Sequence, residues 1–146
     1  MIDTVLNQPP PLEDYDAYSS DAWLRAAVRR AGVSWIEGAA VNLGHYVGSA
    51  VAQQHAALAN RNPPVLRTHD RYGHRIDEVE YDPAYHELMK VAVGHGLHAA
   101  PWVEDRPGAH VVRAAKTSVW TPEPGHICPI SMTYAVVPAL RFSSGS

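Results

Sequence analysis

Cys128 stands two residues after His126 and directly before Pro129, at the start of an apolar run. A cysteine at a helix N-terminus has its thiolate stabilised by the helix dipole, and a nearby histidine could take its proton, so Cys128 and His126 form a conceivable nucleophile and base pair. Pro129 argues the other way, because it lacks a backbone N–H that would steady the thiolate. A lone cysteine beside an apolar helix is more often a small packing residue, and that is the reading adopted for Cys128. His95 and His98, two of nine histidines, are three apart and would share a face of a helix. Gly94 and Gly96 oppose a helix there, and a zinc site needs further ligands at fixed spacing, which no signature supplies. The histidines read as scattered hydrogen-bonding or surface residues. Serine-hydrolase, P-loop and dinucleotide-binding fingerprints do not occur. The expectation is that no catalytic, cofactor-binding or metal-ligating residue resides in this chain.

The one local basic cluster is Arg61, Arg67, His69, Arg71, His74 and Arg75. It could touch phosphates. Asp70, Asp77 and Glu78 are interleaved with it, so a solvated surface or an interdomain contact is expected, not a nucleic-acid site. The whole chain carries 12 basic against 15 acidic residues, a net charge of -3, and so lacks a bulk positive field for nucleic acid or an anionic membrane. With a single cysteine, no internal disulfide or thiolate zinc cluster can form from this chain alone, which fits a reducing cytosol. No basic start followed by an apolar core opens the chain, and no apolar stretch approaches the ~20 residues that a membrane span needs. A cytoplasmic protein is expected.

At 146 residues one domain is the default. Twelve prolines mark a chain broken repeatedly by turns. Asn7-Gln8-Pro9-Pro10-Pro11 cannot be helical and should form an extended arm over residues 1–19, lying on another surface. Ser20 reads as the cap of a helix over 21–31, with Trp23, Leu24, Ala27 and Val28 inward and Arg25, Arg29 and Arg30 solvated. From Trp35 to Leu58, steps of three and four through Ile36, Ala40, Leu43, Val47, Val51 and Gln54 predict a second, long helix. Gly38, Gly44 and Gly48 imply that it packs closely on a neighbour or kinks.

Asn60 to Pro64 must end that helix. Residues 65–69 and 74–81, around the turn Asp70 to Gly73, predict a β-hairpin. Asp82 and Pro83 then open a helix with Tyr85, Leu88, Met89, Ala92 and Val93 inward. A further helix is predicted from Pro107 to Val119, burying Val111, Val112, Ala115 and Val119, and Pro122 and Pro124 stop it. The last begins near Cys128 and is apolar nearly all round, through Ile130, Met132, Tyr134, Ala135, Val137 and Leu140. Such a helix wants burial, and Pro138 should bend or fray its end. Residues 142–146 have the composition of a flexible tail.

Several of these segments together resemble a known family. Val5 to Leu12, Leu58-Ala59-Asn60, Asn62-Pro63-Pro64, the hairpin from Arg67 to Tyr81, Pro83 to Met89 and Cys128 to Thr133 look like the N-terminal domain of the AidB family of adaptive-response flavoproteins, within the acyl-CoA dehydrogenases. The resemblance runs from about residue 4 to Arg141. It implies a mainly α fold over residues 20–141: the N-terminal helical domain of the acyl-CoA dehydrogenase fold, with one small β-hairpin. It also implies that full-length relatives are FAD-dependent oxidoreductases acting on CH–CH bonds and linked to the alkylation response. In the family the flavin contacts, catalytic base and DNA-contacting surface lie in later domains, so none is carried onto a position here. Two departures stand out. Val33 to Ala57 matches poorly, and Thr121-Pro122-Glu123-Pro124 interrupts a helix that relatives continue, so here the helix must end early or repack.

The resulting expectation is a truncated or isolated first domain, inactive alone and without FAD of its own. Its partners would be the missing middle and C-terminal domains or a homo-oligomer, with no membrane and no nucleic acid engaged through this chain. The alternative is a stand-alone helical interaction module derived from that family.

Overall fold

The computed structural model describes residues 6–104 and 106–143. Helices α1 (Ala22–Arg30), α2 (Glu37–Val47) and α3 (Ala50–Arg61) precede a hairpin of β1 (Val65–His69) and β2 (Arg75–Glu80). Helices α4 (Pro83–Gly94), α5 (Ala109–Val119) and α6 (Ile127–Ser143) follow, and short 3-10 turns lead into α2 and α6. α2 packs against both α3 and α5, α4 lies on α3, and α1 rests on α5. The core between them gathers Ile36, Leu43 and Val47, Leu88 and Ala92, and Val112, Ala115 and Val119, joined by Tyr18, Val28, Leu97, Trp120 and Ile130. The mainly helical fold with one hairpin is the architecture the sequence predicts.

The element starts follow local chemistry. Asp21, not Ser20, caps α1, because its carboxylate accepts the Leu24 N–H at 2.8 Å, while the Ser20 hydroxyl is turned back to the Ala17 carbonyl. Trp23 is 88% exposed, against the inward placement expected: the buried arc of this nine-residue helix runs through Leu24 and Val28. Asp82 and Pro83 open α4 as predicted, with the Asp82 carboxylate accepting the Ala84 N–H. α5 starts at Ala109, two residues later than expected.

The long second helix is instead two helices. α2 ends at Val47, and Ser49 caps α3 through its hydroxyl, which accepts the Ala52 N–H at 3.1 Å. What breaks it is the end of the N-terminal arm. The Tyr15 and Ala17 N–H groups donate to the Gly48 and Gly44 carbonyls, and Asp14 accepts the Ala50 N–H at 3.1 Å. A Cβ at Gly48 would collide with the Tyr15 carbonyl, and one at Gly44 with Asp16 and Tyr18. Those glycines are therefore a slot for a crossing strand of backbone. The break also resets the helical phase, so α3 buries Ala52 and Ala56 and leaves Val51, expected inward, exposed. Val93 and Val111 are exposed as well, each one position off the buried arc of its helix.

Pro138 does not end α6 at its own position, since the helix continues to Ser143. Burial is where α6 departs most from expectation: Ile130 is the only buried residue described in it.

Candidate functional site

α6 begins where the Pro-rich break ends. α5 stops at Val119, Trp120 turns into the core, and Pro124–His126 forms the 3-10 turn that launches α6. The early helix end demanded by Pro122 and Pro124 is thus filled by Trp120, which stacks on Tyr46 with ring centroids 6.3 Å apart. From Ile127 to Leu140 the helix carries no charged residue. Met132, Val136 and Leu140, four residues apart and so on one face, are 66%, 43% and 63% exposed, with Phe142 beyond them. This is an apolar stripe facing solvent.

The opposite side of α6 is fastened by polar contacts. The Trp102 indole N–H donates to the Tyr134 carbonyl at 2.8 Å. Arg113 donates to the Leu97 carbonyl at 2.7 Å and to the Ser131 hydroxyl at 3.1 Å, with its guanidinium 3.9 Å from the centroid of the Tyr134 ring. His110 and the Tyr134 hydroxyl share a 2.6 Å hydrogen bond. Sequence reading placed Tyr134 only in the apolar run of the last helix and did not single out Trp102, His110 or Arg113, because the four converge from three separate segments.

The structure separates Cys128 from His126 chemically. Cys128 is exposed, and its thiol points to the Met132 sulfur at 3.7 Å. His126 is fully buried and engaged elsewhere, its Nδ1 2.7 Å from Glu123 Oε2 and its Nε2 3.2 Å from the Tyr85 carbonyl oxygen. No proton path joins them as nucleophile and base. His95 and His98 lie in the turn after α4, not on a helix. There the His95 carbonyl accepts from the Lys116 ammonium, and burial, then the Lys116 charge, holds the His95 imidazole below its ordinary pKa. Among the described residues no three His, Cys, Asp or Glu side chains gather as a metal site would require. No described helix is long and apolar enough to cross a membrane.

Three of the hairpin's basic residues are paired with its own carboxylates, while Arg71 lies over the Tyr72 ring. Arg67 pairs with Glu80 at 2.7 Å, Arg75 with Asp77 at 2.6 Å and His74 with Asp70 at 3.0 Å. The bond from the His74 side chain, then its backbone N–H, holds the exposed Asp70 carboxyl below the ordinary carboxylate range. Such exposed pairs orient the strands and add little stability. The pairing Leu66 with Val79 and Arg67 with Glu78 slips at a bulge before His69 meets Arg75, and Asp77 there takes a positive φ of 46°. Both strands are exposed along their whole length. A separate open groove of about 540 Å³ runs between the arm, the start of α1 and the end of α5, lined among others by Tyr15, Ser20, Trp23, Ser118 and Thr121.

A helical body with one hairpin and a final helix left largely uncovered has the form of the first domain of an acyl-CoA dehydrogenase. Two solved structures share this fold. The apo form of Bd2924 has a TM-score of 0.69 at 22% identity, covering 77% of this chain and 23% of that one. Caenorhabditis elegans ACDH-11, solved in complex with C11-CoA, has a TM-score of 0.69 at 18% identity, covering 86% of this chain and 22% of that one. Residues 7–145 match the family model of the adaptive response protein AidB N-terminal domain. The chain belongs to that family. It is 41% identical over 139 residues to the acyl-CoA dehydrogenase-like protein AidB of Escherichia coli (strain K12), a match spanning 94% of this chain and 26% of that protein. The chain thus spans about a quarter of the length of the curated relative it matches.

Proposed function

We propose that this chain serves as the N-terminal domain of an FAD-dependent, acyl-CoA dehydrogenase-like cytoplasmic flavoprotein of the alkylation response, and that it contributes a docking wall and no catalytic group. In this reading residues 1–19 are an arm and the helical body begins at residue 20, with α6 running past the expected boundary at 141 to Ser143. FAD and the acyl substrate are held by the domains this sequence does not span. The observation that carries the reading is α6: a helix with no charge over Ile127 to Leu140 whose Met132, Val136 and Leu140 face outward. In water such a face favours cover, since removing apolar surface from solvent contributes about 25 cal/mol per Å².

The test is reconstitution. The chain is mixed with separately purified middle and C-terminal domains of an AidB family member. Association should be seen by light scattering after size exclusion, and should be lost in Met132→Asp/Leu140→Asp. Failure of the wild-type chain to associate under conditions where the other domains are folded and hold flavin would sink the docking reading. Yellow flavin absorbance at one equivalent in the chain alone would overturn the claim that it has no cofactor site.

A second reading, a free-standing interaction module derived from the family, is favoured by the hairpin, whose two faces are both exposed. That reading requires the chain to associate with itself or with an unrelated protein without the other domains.

A further inference from the structure

The Pro-rich break between α5 and α6 holds a buried titratable pair. Glu123 and His126 are the buried polar or charged residues among those described, and the His126 side chain has no exposed surface. Each imidazole nitrogen faces an oxygen: Nδ1 faces Glu123 Oε2 at 2.7 Å, an acceptor when the carboxyl is ionised, and Nε2 faces the Tyr85 carbonyl at 3.2 Å, which can only accept. Two acceptors require two N–H donors, so the geometry is complete when the ring is an imidazolium and the carboxyl a carboxylate. The same Oε2 accepts the His126 backbone N–H at 2.8 Å. Removing the ring proton would set a nitrogen lone pair against an oxygen. Adding one to the carboxyl would remove the negative charge that Oε2 presents to its two donors.

The surroundings select one state of the pair. From α4, Tyr85 stacks on the His126 ring at a centroid distance of 4.4 Å, and Tyr81, at the end of the hairpin, stacks on Tyr85 at 4.4 Å. His86 sits edge-on to both tyrosines. Among the described residues Tyr85 and Glu123 are the titratable side chains in contact with His126, and Tyr81 and His86 lie behind Tyr85. An aromatic face suits a cation. Desolvation by burial raises the Tyr85 phenol, followed by the charges of Tyr81 and Glu123, so Tyr85 stays neutral through acid and neutral pH. Burial also pushes the Glu123 carboxyl upward. The hydrogen bonds from the His126 side chain and the Gly125 and His126 backbone, with the imidazolium charge, outweigh that and leave Glu123 below its ordinary value.

We propose that Glu123, His126 and Tyr85 form a one-proton latch that fixes the start of α6 against α4, closed as a carboxylate and imidazolium and opened in acid when the carboxylate is protonated. His126 is here a positioning residue: it acts on α6, which follows it directly in the chain. A carboxyl lowered on folding contributes stability that is fully present above its unfolded pKa and is lost as pH falls through the lower folded value. The latch therefore opens below the ordinary carboxylate range. It concerns only how α6 is seated, so it can fail while the docking reading stands, and the reverse.

The Trp102 indole N–H reports the seat of α6, because it bonds to the Tyr134 carbonyl. Its proton and nitrogen resonances, followed through an acid titration of the 146-residue chain, should show a step while helical circular dichroism is retained. The Glu123 carboxyl carbon should titrate at the same midpoint, below that of a glutamate in the urea-unfolded chain. Glu123→Gln, which keeps the shape and an acceptor but cannot take up the proton, should remove the step. An indole step that persists in Glu123→Gln, or one that coincides with loss of helical signal in the wild type, overturns the latch. Should Glu123→Gln not fold, the wild-type carboxyl titration decides alone: a midpoint at or above the unfolded value overturns the proposal.

Discussion

Trp102 supplies to the Tyr134 carbonyl the hydrogen bond that Pro138 cannot. In a continuous helix the Tyr134 carbonyl would accept from the N–H of the residue four positions later, and that residue is Pro138, which has none. The indole N–H lies 2.8 Å from the orphaned oxygen. This exchange lets a proline sit inside α6 while the helix runs on to Ser143.

Trp102→Phe should therefore cost about 1–3 kcal/mol, because it strands a partly buried carbonyl as well as losing a bond. Pro138→Ala restores the helical N–H, so Trp102→Phe should cost measurably less in that background. Urea unfolding of the two single variants and the double variant measures the coupling, and additive effects would show that the two residues are not exchanging one acceptor.

Gly48 and Gly38 should respond to alanine with opposite signs. Gly48→Ala places a Cβ on the Tyr15 carbonyl and should destabilise by about 2 kcal/mol or more, as overpacking against backbone does. Gly38, within α2, has open space around its missing Cβ, so Gly38→Ala should stabilise by up to about 1 kcal/mol through helix propensity. Thermal melts of the two variants beside the wild type give both signs.

The hairpin should open locally far more often than the helices. A two-stranded ribbon with both faces wet is marginal by itself, and its ion pairs, Arg67 with Glu80 across the strands and Arg75 with Asp77 within β2, are exposed. Amide exchange should be fast at Leu66, Arg67 and Val79 and slow at Leu43 and Leu88. Equal protection in the two sets would mean that the hairpin is covered in solution.

Met132→Asp and Leu140→Asp should leave the folding free energy of the isolated chain within about 0.5 kcal/mol, as exposed substitutions usually do. Both side chains are already in water. A loss of several degrees in melting temperature for either would place these residues inside a packed surface.

How far the fold could be read depended on whether a residue's environment was local. Asp82 with Pro83, the hairpin turn and the stop at Pro122 are short-range signals, and the structure has them where the sequence puts them. The break at Gly48 was half legible: the glycines announced a close approach or a kink, but the agent is Tyr15, more than thirty residues earlier. Period alone placed Trp23, Val51 and Val111 inward, because a helix pattern shows an apolar arc without showing what covers it. The same limit governs the candidate site. The uncharged run of α6 is plain in the sequence, but its exposure is not, since hydrophobicity states a need for cover and not whether this chain meets it. Cys128 and His126, neighbours in sequence, are divided by Glu123, which takes the imidazole for itself.

The arm that crosses at Gly44 and Gly48 bears on the order in which the molecule can assemble. Asp14 and Ala50 are 36 residues apart and joined by a direct hydrogen bond, and Tyr15 and Ala17 are stitched to the same junction. The joint between α2 and α3 is thus keyed by the segment from Asp14 to Ala17. During synthesis the first segment must wait, unpaired, until residue 50 has emerged, and only then can it close the notch. A fusion partner or trimmed end on that side would act on the middle of the bundle, as a wedge driven or a pin withdrawn.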